Sequence, residues 1–266
     1  VLIEAAAPDR ATPTSPAATR GRAPQHTASL PKEASMTSKT TTTTLTDLLD
    51  RAGDSRTVMR QLVNAVAAAR GLTPPWDVLP ATGLEPLGDL AGWGVVELGE
   101  ARLRLAAKRD REKHGMVYTP PEVAGFQVRS AMQLARLDRL AGNPGALRHI
   151  TIVDPACGPG LYIVHVARHL ARWYAAQLAG VEPADWMVRM VLPLVMVECL
   201  YGIDLDEVAV DLARSVCWLE IGGVEPITFM DDNITVADTF AEDLPERAPK
   251  FTARWDAAGG AAVGVS

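Results

Sequence analysis

Cysteine is scarce in this chain. Cys157, Cys199 and Cys217 are its only three, widely spaced and odd in number. No Cys-x-x-Cys pair exists, so the sequence implies neither a disulfide framework nor a zinc site, and a reducing cytoplasm fits best. Positive charge is also in deficit: 26 Lys and Arg stand against 32 Asp and Glu, a net charge of −6. That balance gives no electrostatic sign of nucleic-acid binding by the whole chain. Local contacts, or contacts made elsewhere in a longer protein, stay open. Long apolar runs are missing too, none reaching the roughly 18 residues a membrane span requires. The opening Val1 to Arg10 turns polar too quickly for a secretory signal. What remains is an ordinary globular profile, 48% hydrophobic and 22% charged over 266 residues. It suits one sizeable core plus a smaller module, in a cytoplasmic protein with no membrane partner.

Residues 1–45 are rich in Ala, Thr, Pro and Ser, ending in the run Thr40 to Thr44. Their apolar periodicity is too weak to bury a core, and the expectation is disorder. Met36 inside this stretch is a candidate start. From about Leu45 the pattern turns helical, with Leu48, Leu49, Val58, Met59, Leu62, Val63 and Val66 mainly at three- and four-residue steps. Gly53-Asp54 separates a first helix from a second, and Gly71 to Pro75 ends the second. A third helix is expected from Val95 to Lys113. Residues 46–112 therefore read as a small helical module. Residues 113–266 read as an α/β domain: strands at His149–Val153 and Cys199–Ile203, helices at Leu161–Leu178 and Asp206–Glu220, and a third strand after Pro226–Met230. Roughly Glu182 to Glu198 adds a further helical segment. No internal repeat is present.

The strongest chemical signal is Asp154-Pro155-Ala156-Cys157-Gly158-Pro159-Gly160, directly after a strand and before a helix. Glycines there remove Cβ atoms, so a ligand can lie against the backbone where helix amides point outward. An acidic residue at the strand end can hold an ammonium group. In open α/β sheets, ligands sit beyond the carboxyl ends of the strands. A plain strand-to-helix turn is the competing reading of Gly and Pro alone. Position 163 is Ile, so no Gly-x-Gly-x-x-Gly dinucleotide fingerprint exists. About 50 residues on, Tyr201-Gly202-Ile203-Asp204-Leu205-Asp206 closes the second strand. Asp204 can accept both hydroxyls of a ribose, Leu205 can cover an adenine face, and Asp206 suits the next helix N-cap. Ahead of the loop, Thr119 is a good N-cap and Pro120 a good first helical residue, which holds Tyr118 at a helix entrance. His165 and His169 lie four apart on a helix without the Glu of a zinc motif, so no metal site is read there. Cys157 reads as a small packed residue rather than a nucleophile. The mixed charges of Lys108 to His114 read as a solvated helix face.

These segments together resemble the N6-adenine-specific DNA methyltransferases. Asp154 to Gly160 is similar to that family's first motif, D-P-A-C-G-S/T-G, with Pro159 where Ser or Thr is common. His114 to Pro121 resembles the family's G-x-Y/F-Y-T-P segment, which folds over the methionine end of the cofactor. Tyr201 to Asp206, with the helix reading AVDLARSVCWLE after it, resembles the larger, restriction-associated branch. Asn233 to Phe240 resembles N-I-x-x-G-D-S/T-L, with Ala237 replacing Gly. The resemblance implies a Rossmann-like core using S-adenosyl-L-methionine. Its cofactor-binding residues would be Tyr118, Thr119, Pro120, Asp154, Pro155, Ala156, Cys157, Gly158, Gly160, Asp204, Leu205, Asp238 and Thr239. Asp238 would meet the adenine amino group of the cofactor. The implied substrate is adenine N6 in double-stranded DNA, within a restriction-modification or related defence system with other subunits.

The catalytic motif of that family, (D/N)-P-P-(Y/F/W), is expected shortly after Asp238. There a polar side chain and a Pro carbonyl accept the adenine amino protons, and an aromatic ring stacks on the flipped base. This chain offers Arg254-Trp255-Asp256 and then small residues to Ser266. Trp255-Asp256 stands where the family often has F-D before a strand, and the small-residue tail reads as a frameshift or a broken gene. Thr73-Pro74-Pro75-Trp76 has Thr for Asn and no strand before it, and is rejected. The expectation is a methyltransferase core that stops short of its catalytic residues. The alternatives are a non-catalytic cofactor-binding subunit, or a methyltransferase of RNA or of protein glutamine.

Overall fold

The computed structural model describes residues 2–5, 39–106, 116, 119–135, 137–143, 145–257 and 263–264. Its centre is a mixed sheet of β1 (Leu2–Ala5), β2 (Ile150–Asp154), β3 (Leu200–Asp204), β4 (Ile234–Val236) and β5 (Val263–Gly264). The spatial order is β4-β3-β2-β1-β5. β2, β3 and β4 are parallel, while β1 runs antiparallel to both β2 and β5. Parallel neighbours need long crossovers. The first is made by α5 (Leu161–Ala179) and α6 (Asp185–Cys199), the second by α7 (Glu207–Glu220). Every residue of β2 is buried, as expected of a strand covered on both faces.

The period of two along the strands divides the core. Ile152 and Leu200 pack with Ile163, Val166 and Leu170 of α5 and with Met196 of α6. Val153, Tyr201 and Ile203 form a separate cluster with Phe251, whose ring centroid lies 5.7 Å from that of Tyr201. Phe251 belongs to α9 (Pro249–Ala257), which comes after the short α8 (Leu244–Arg247). Trp255 and Asp256 therefore lie in a helix.

Between β1 and the parallel strands the chain first forms three helices: α1 (Lys39–Ala52), α2 (Ser55–Ala69) and α3 (Val95–Leu105). The Gly53-Asp54 break is observed, with Asp54 capping α2 by accepting from Thr57 N–H at 2.8 Å. Leu62, Val63 and Val66 of α2 share one core with Leu98 of α3 and with Leu212, Val216 and Trp218 of α7. Each such fully buried aliphatic side chain contributes about 1.5–3 kcal/mol. The helical region is thus seated on α7. An ionic clasp reinforces it: Asp211 accepts from Arg56 Nε at 2.6 Å and from Arg60 Nη2 at 2.6 Å. Trp76 completes the joint, donating from its ring nitrogen to Ser215 Oγ at 3.2 Å with Arg60 lying over the ring. That contact gives Thr73-Pro74-Pro75-Trp76 a structural role.

Several expectations need correction. Disorder over 1–45 does not hold at Leu2–Ala5, which pairs with Ile150–Val153, nor at Lys39–Leu45, the first turns of α1. With β1 beside it, β2 is not an open edge. The third helix is described only as Val95–Leu105, and Lys108 to His114 lie outside the described residues. Helix α4 (Pro121–Leu134) begins one residue later than expected, with Pro120 at the cap and Pro121 first. The third strand follows Pro226–Met230 as expected: Ile227–Met230 forms a 3₁₀ turn and Ile234–Val236 is β4.

Candidate functional site

Parallel strands end together, and their connecting loops gather at one edge of the sheet. Asp154 pairs with Gly202, so Asp204 extends two residues beyond it along that edge. The β2–α5 loop folds under β3: Cys157 N–H donates to Ile203 C=O at 3.0 Å. Space for this exists because position 202 is glycine. A Cβ there would lie 2.6 Å from Ile163 Cδ1 and 3.0 Å from Cys157 Sγ. Gly160 has φ +91° and packs on α7, where a Cβ would meet the Ala213 backbone at 3.3 Å. The loop is held from above by Thr239, whose hydroxyl donates to Pro155 C=O at 2.6 Å.

Asp204 organises the centre of this edge. Its Oδ2 accepts from Gly158 N–H at 2.8 Å and its Oδ1 from Asp206 N–H at 2.9 Å. Asp206 caps α7 by accepting from Val208 N–H at 3.0 Å, as its position suggested. Its other oxygen accepts from Arg102 Nη2 of α3 at 2.7 Å, in an ion pair with both side chains only 9% exposed. Around these groups lies a cavity of about 280 Å³. Its floor is Ala156, Cys157, Gly158 and Pro159, one end is Asp204 and Asp206, and the far wall is Val95, Val96, Gly99, Arg102 and Leu103 of α3. Met116, Thr119, Pro121 and Tyr162 close the remaining side.

Of the residues singled out from sequence, Thr119, Ala156, Cys157, Gly158 and Asp204 line this cavity. Pro155, Gly160 and Thr239 shape its floor from outside, and Pro120 sits at the start of α4. Tyr118 lies outside the described residues. Leu205 is 54% exposed, and the carboxylate of the exposed Asp238 accepts from Phe240 N–H at 2.9 Å, turning its own loop. Asp154 does not line the cavity; it is 6% exposed, with Oδ2 lacking a partner among the described residues. Burial pushes its carboxyl above the usual range. Burial also pushes the Cys157 thiol well up, which keeps it protonated and unreactive as a nucleophile. The Tyr162 phenol is raised by burial too, opposed by a hydrogen bond with Thr119, and it donates to Gln127 Oε1.

Sequence reasoning missed the α3 wall, Tyr162 of α5 and the role of Asn233. One local signal for the wall existed: Gly99 inside a helix marks a close approach. A Cβ there would lie 3.1 Å from Pro159 Cγ. Asn233 sets the start of β4, donating from Nδ2 to Leu200 C=O at 2.8 Å and accepting from Lys250 Nζ at 2.7 Å. Among the described residues no helix is long and apolar enough to cross a membrane. In comparison with known proteins, no family model matches the chain, and no curated protein or solved structure matches it either.

Proposed function

We propose that this chain forms the cofactor-binding part of an S-adenosyl-L-methionine-dependent methyltransferase with a Rossmann-like core. Its reaction class is methylation of an exocyclic amine, adenine N6 in double-stranded DNA. The observation that carries this reading is the charge and shape of the cavity at the sheet edge. Among the described residues, the charged side chains lining it are Asp204, Asp206 and Arg102, a formal sum of −1. Arg102 is already committed to Asp206. NAD or ATP would bring phosphates to a lining whose one cationic side chain among those residues is already charge-balanced by Asp206, leaving a net negative charge. S-adenosyl-L-methionine has no phosphate and a net positive charge, which complements the lining. Asp204 fits the ribose hydroxyls, since each of its oxygens accepts only one backbone N–H and keeps a lone pair. The bare Gly158 loop fits a chain lying against the backbone. The cofactor supplies the methyl group.

Calorimetry on the chain should show S-adenosyl-L-methionine binding more tightly than NAD or ATP. Asp204→Ala should weaken it by about 1–3 kcal/mol, the range for hydrogen bonds to a charged group. NAD binding as tightly or more tightly would overturn the proposal.

The sequence bears on the chemistry as well. No (D/N)-P-P-(Y/F/W) occurs in the 266 residues, so the acceptor for an adenine amino group and the ring for a flipped base that this motif supplies are not provided by it. The expected outcome is cofactor binding without methyl transfer. Radiolabel from the cofactor should stay at background on unmethylated plasmid DNA, and nucleoside analysis should find no N6-methyladenine. Methylation by these residues alone would place catalysis elsewhere in the chain. The absent motif also favours a second reading, a cofactor-binding subunit that serves other members of a defence system.

A further inference from the structure

Among the described residues, Arg102 is the single cationic side chain lining the cavity, and it comes from the helical region rather than from the sheet. It is 7% exposed, yet its guanidinium makes one hydrogen bond among those residues, from Nη2 to Asp206 Oδ2. A guanidinium carries five N–H donors. Nε is sealed from solvent with no partner among the described residues, and Nη1 makes no hydrogen bond to any of them either. Charge neutralisation of Asp206 does not account for this geometry. Guanidinium–carboxylate pairs are frequently bidentate, with two parallel N–H···O bonds. Here Asp206 Oδ1 accepts from Val208 N–H and receives no second N–H from Arg102, so the Nη1 donors of this cavity-lining residue are left without a partner among the described residues.

Those spare donors lie at the same end of the cavity as the Asp204 carboxylate, because Asp206 binds both. Its side chain holds Arg102, and its backbone N–H donates to Asp204 Oδ1. An acceptor pair beside a spare donor is complementary to a vicinal diol. Two hydroxyls donate to the carboxylate, and one hydroxyl oxygen accepts from the guanidinium. We infer that Arg102 and Asp204 together clamp the ribose diol of the bound nucleoside, with Arg102 as a specificity residue contributed by α3. This inference rests on the S-adenosyl reading given above. It goes further by making the helical region a direct reader of the ligand.

The test uses the full chain and three probes: S-adenosylhomocysteine and its 2′-deoxy and 3′-deoxy analogues. Arg102→Lys keeps a positive charge opposite Asp206 but replaces a fork of separated nitrogens with a single one, so contacts to Asp206 and to a hydroxyl lose their separate, fixed directions. It should weaken S-adenosylhomocysteine about tenfold, the loss of one charge-assisted hydrogen bond. Against at least one deoxy analogue its effect should fall below about twofold, because the partner atom is already gone. Arg102→Met combined with Asp206→Asn removes both charges and should show the same pattern, with ligand-free melts confirming that each variant is folded. Equal weakening of all three probes would make Arg102 a structural wall and overturn the clamp. Undiminished binding of S-adenosylhomocysteine by Arg102→Lys would overturn it as well. In both cases the cofactor reading would stand. Failure of the wild-type chain to bind any of the three would remove the cofactor reading, and the clamp with it.

Discussion

Asp211→Ala should lower folding stability by about 2–3 kcal/mol, or roughly 5–10 °C in Tm for a chain of this size. Asp211 is nearly buried and accepts from two arginines, Arg56 and Arg60, 155 and 151 residues earlier in the chain. Removing it leaves two cations facing each other at the joint between α2 and α7. A fully buried pair would lose more, but the Arg56 and Arg60 side chains are 42% and 28% exposed, so water screens part of the effect. The pH dependence checks the mechanism. Burial pushes the Asp211 carboxyl up, but the hydrogen bonds and charges of Arg56 and Arg60 outweigh it and hold the carboxyl below its ordinary value of 3.8. A carboxylate depressed in the folded state stabilises above its unfolded pKa, and that contribution is lost as pH falls through the folded pKa. The gap in Tm between wild type and Asp211→Ala should therefore be full at pH 7 and shrink below about pH 4. A gap that stays constant down to pH 3 would show that the charge is not what holds the joint.

Gly160→Ala carries the other large effect, about 2–4 kcal/mol of stability together with loss of ligand binding. Two costs combine. The residue sits at φ +91°, where an L side chain costs about 1–2 kcal/mol. Its new Cβ would stand 3.2 Å from Ala213 Cβ and 3.3 Å from Ala213 Cα, and backbone atoms do not yield cheaply. Gly158→Ala is the matched control. Its φ is +49°, but a Cβ there meets nothing within 4 Å, so only the conformational cost of about 1–2 kcal/mol remains. Thermal melts of both variants decide the matter. Equal destabilisation would mean that crowding against α7 does not explain Gly160.

The same contrast separates what local sequence carried from what it could not. The β-branched run ending at Asp154, the glycines after it and the N-caps Asp54 and Asp206 are properties of a few adjacent residues. Periodicity, missing Cβ atoms and short polar side chains act over one turn of chain, so these elements and the loop were legible. Thr119, Ala156, Cys157, Gly158 and Asp204 line the cavity for that reason. Where Asp238 would point was less legible, because its carboxylate closes its own turn to Phe240.

By itself, then, the sequence determined an α/β chain with helices before the parallel strands, a glycine-bearing loop at a strand end and an acidic residue closing the next strand. Tertiary structure alone decided the rest. Leu2–Ala5 lies against Ile150–Val153, Asp206 meets Arg102 across 104 residues, and Asp211 gathers Arg56 and Arg60. Each of these contacts joins side chains or strand edges with no local preference for one another. Alanine-rich and polar segments such as 1–10 carry too little periodicity to announce a partner strand. A lone Arg on a helix face does not reveal whether it meets water, a carboxylate or a ligand. Only the seating of α1 to α3 on α7 turns Arg102 inward and makes the helical region a wall of the site.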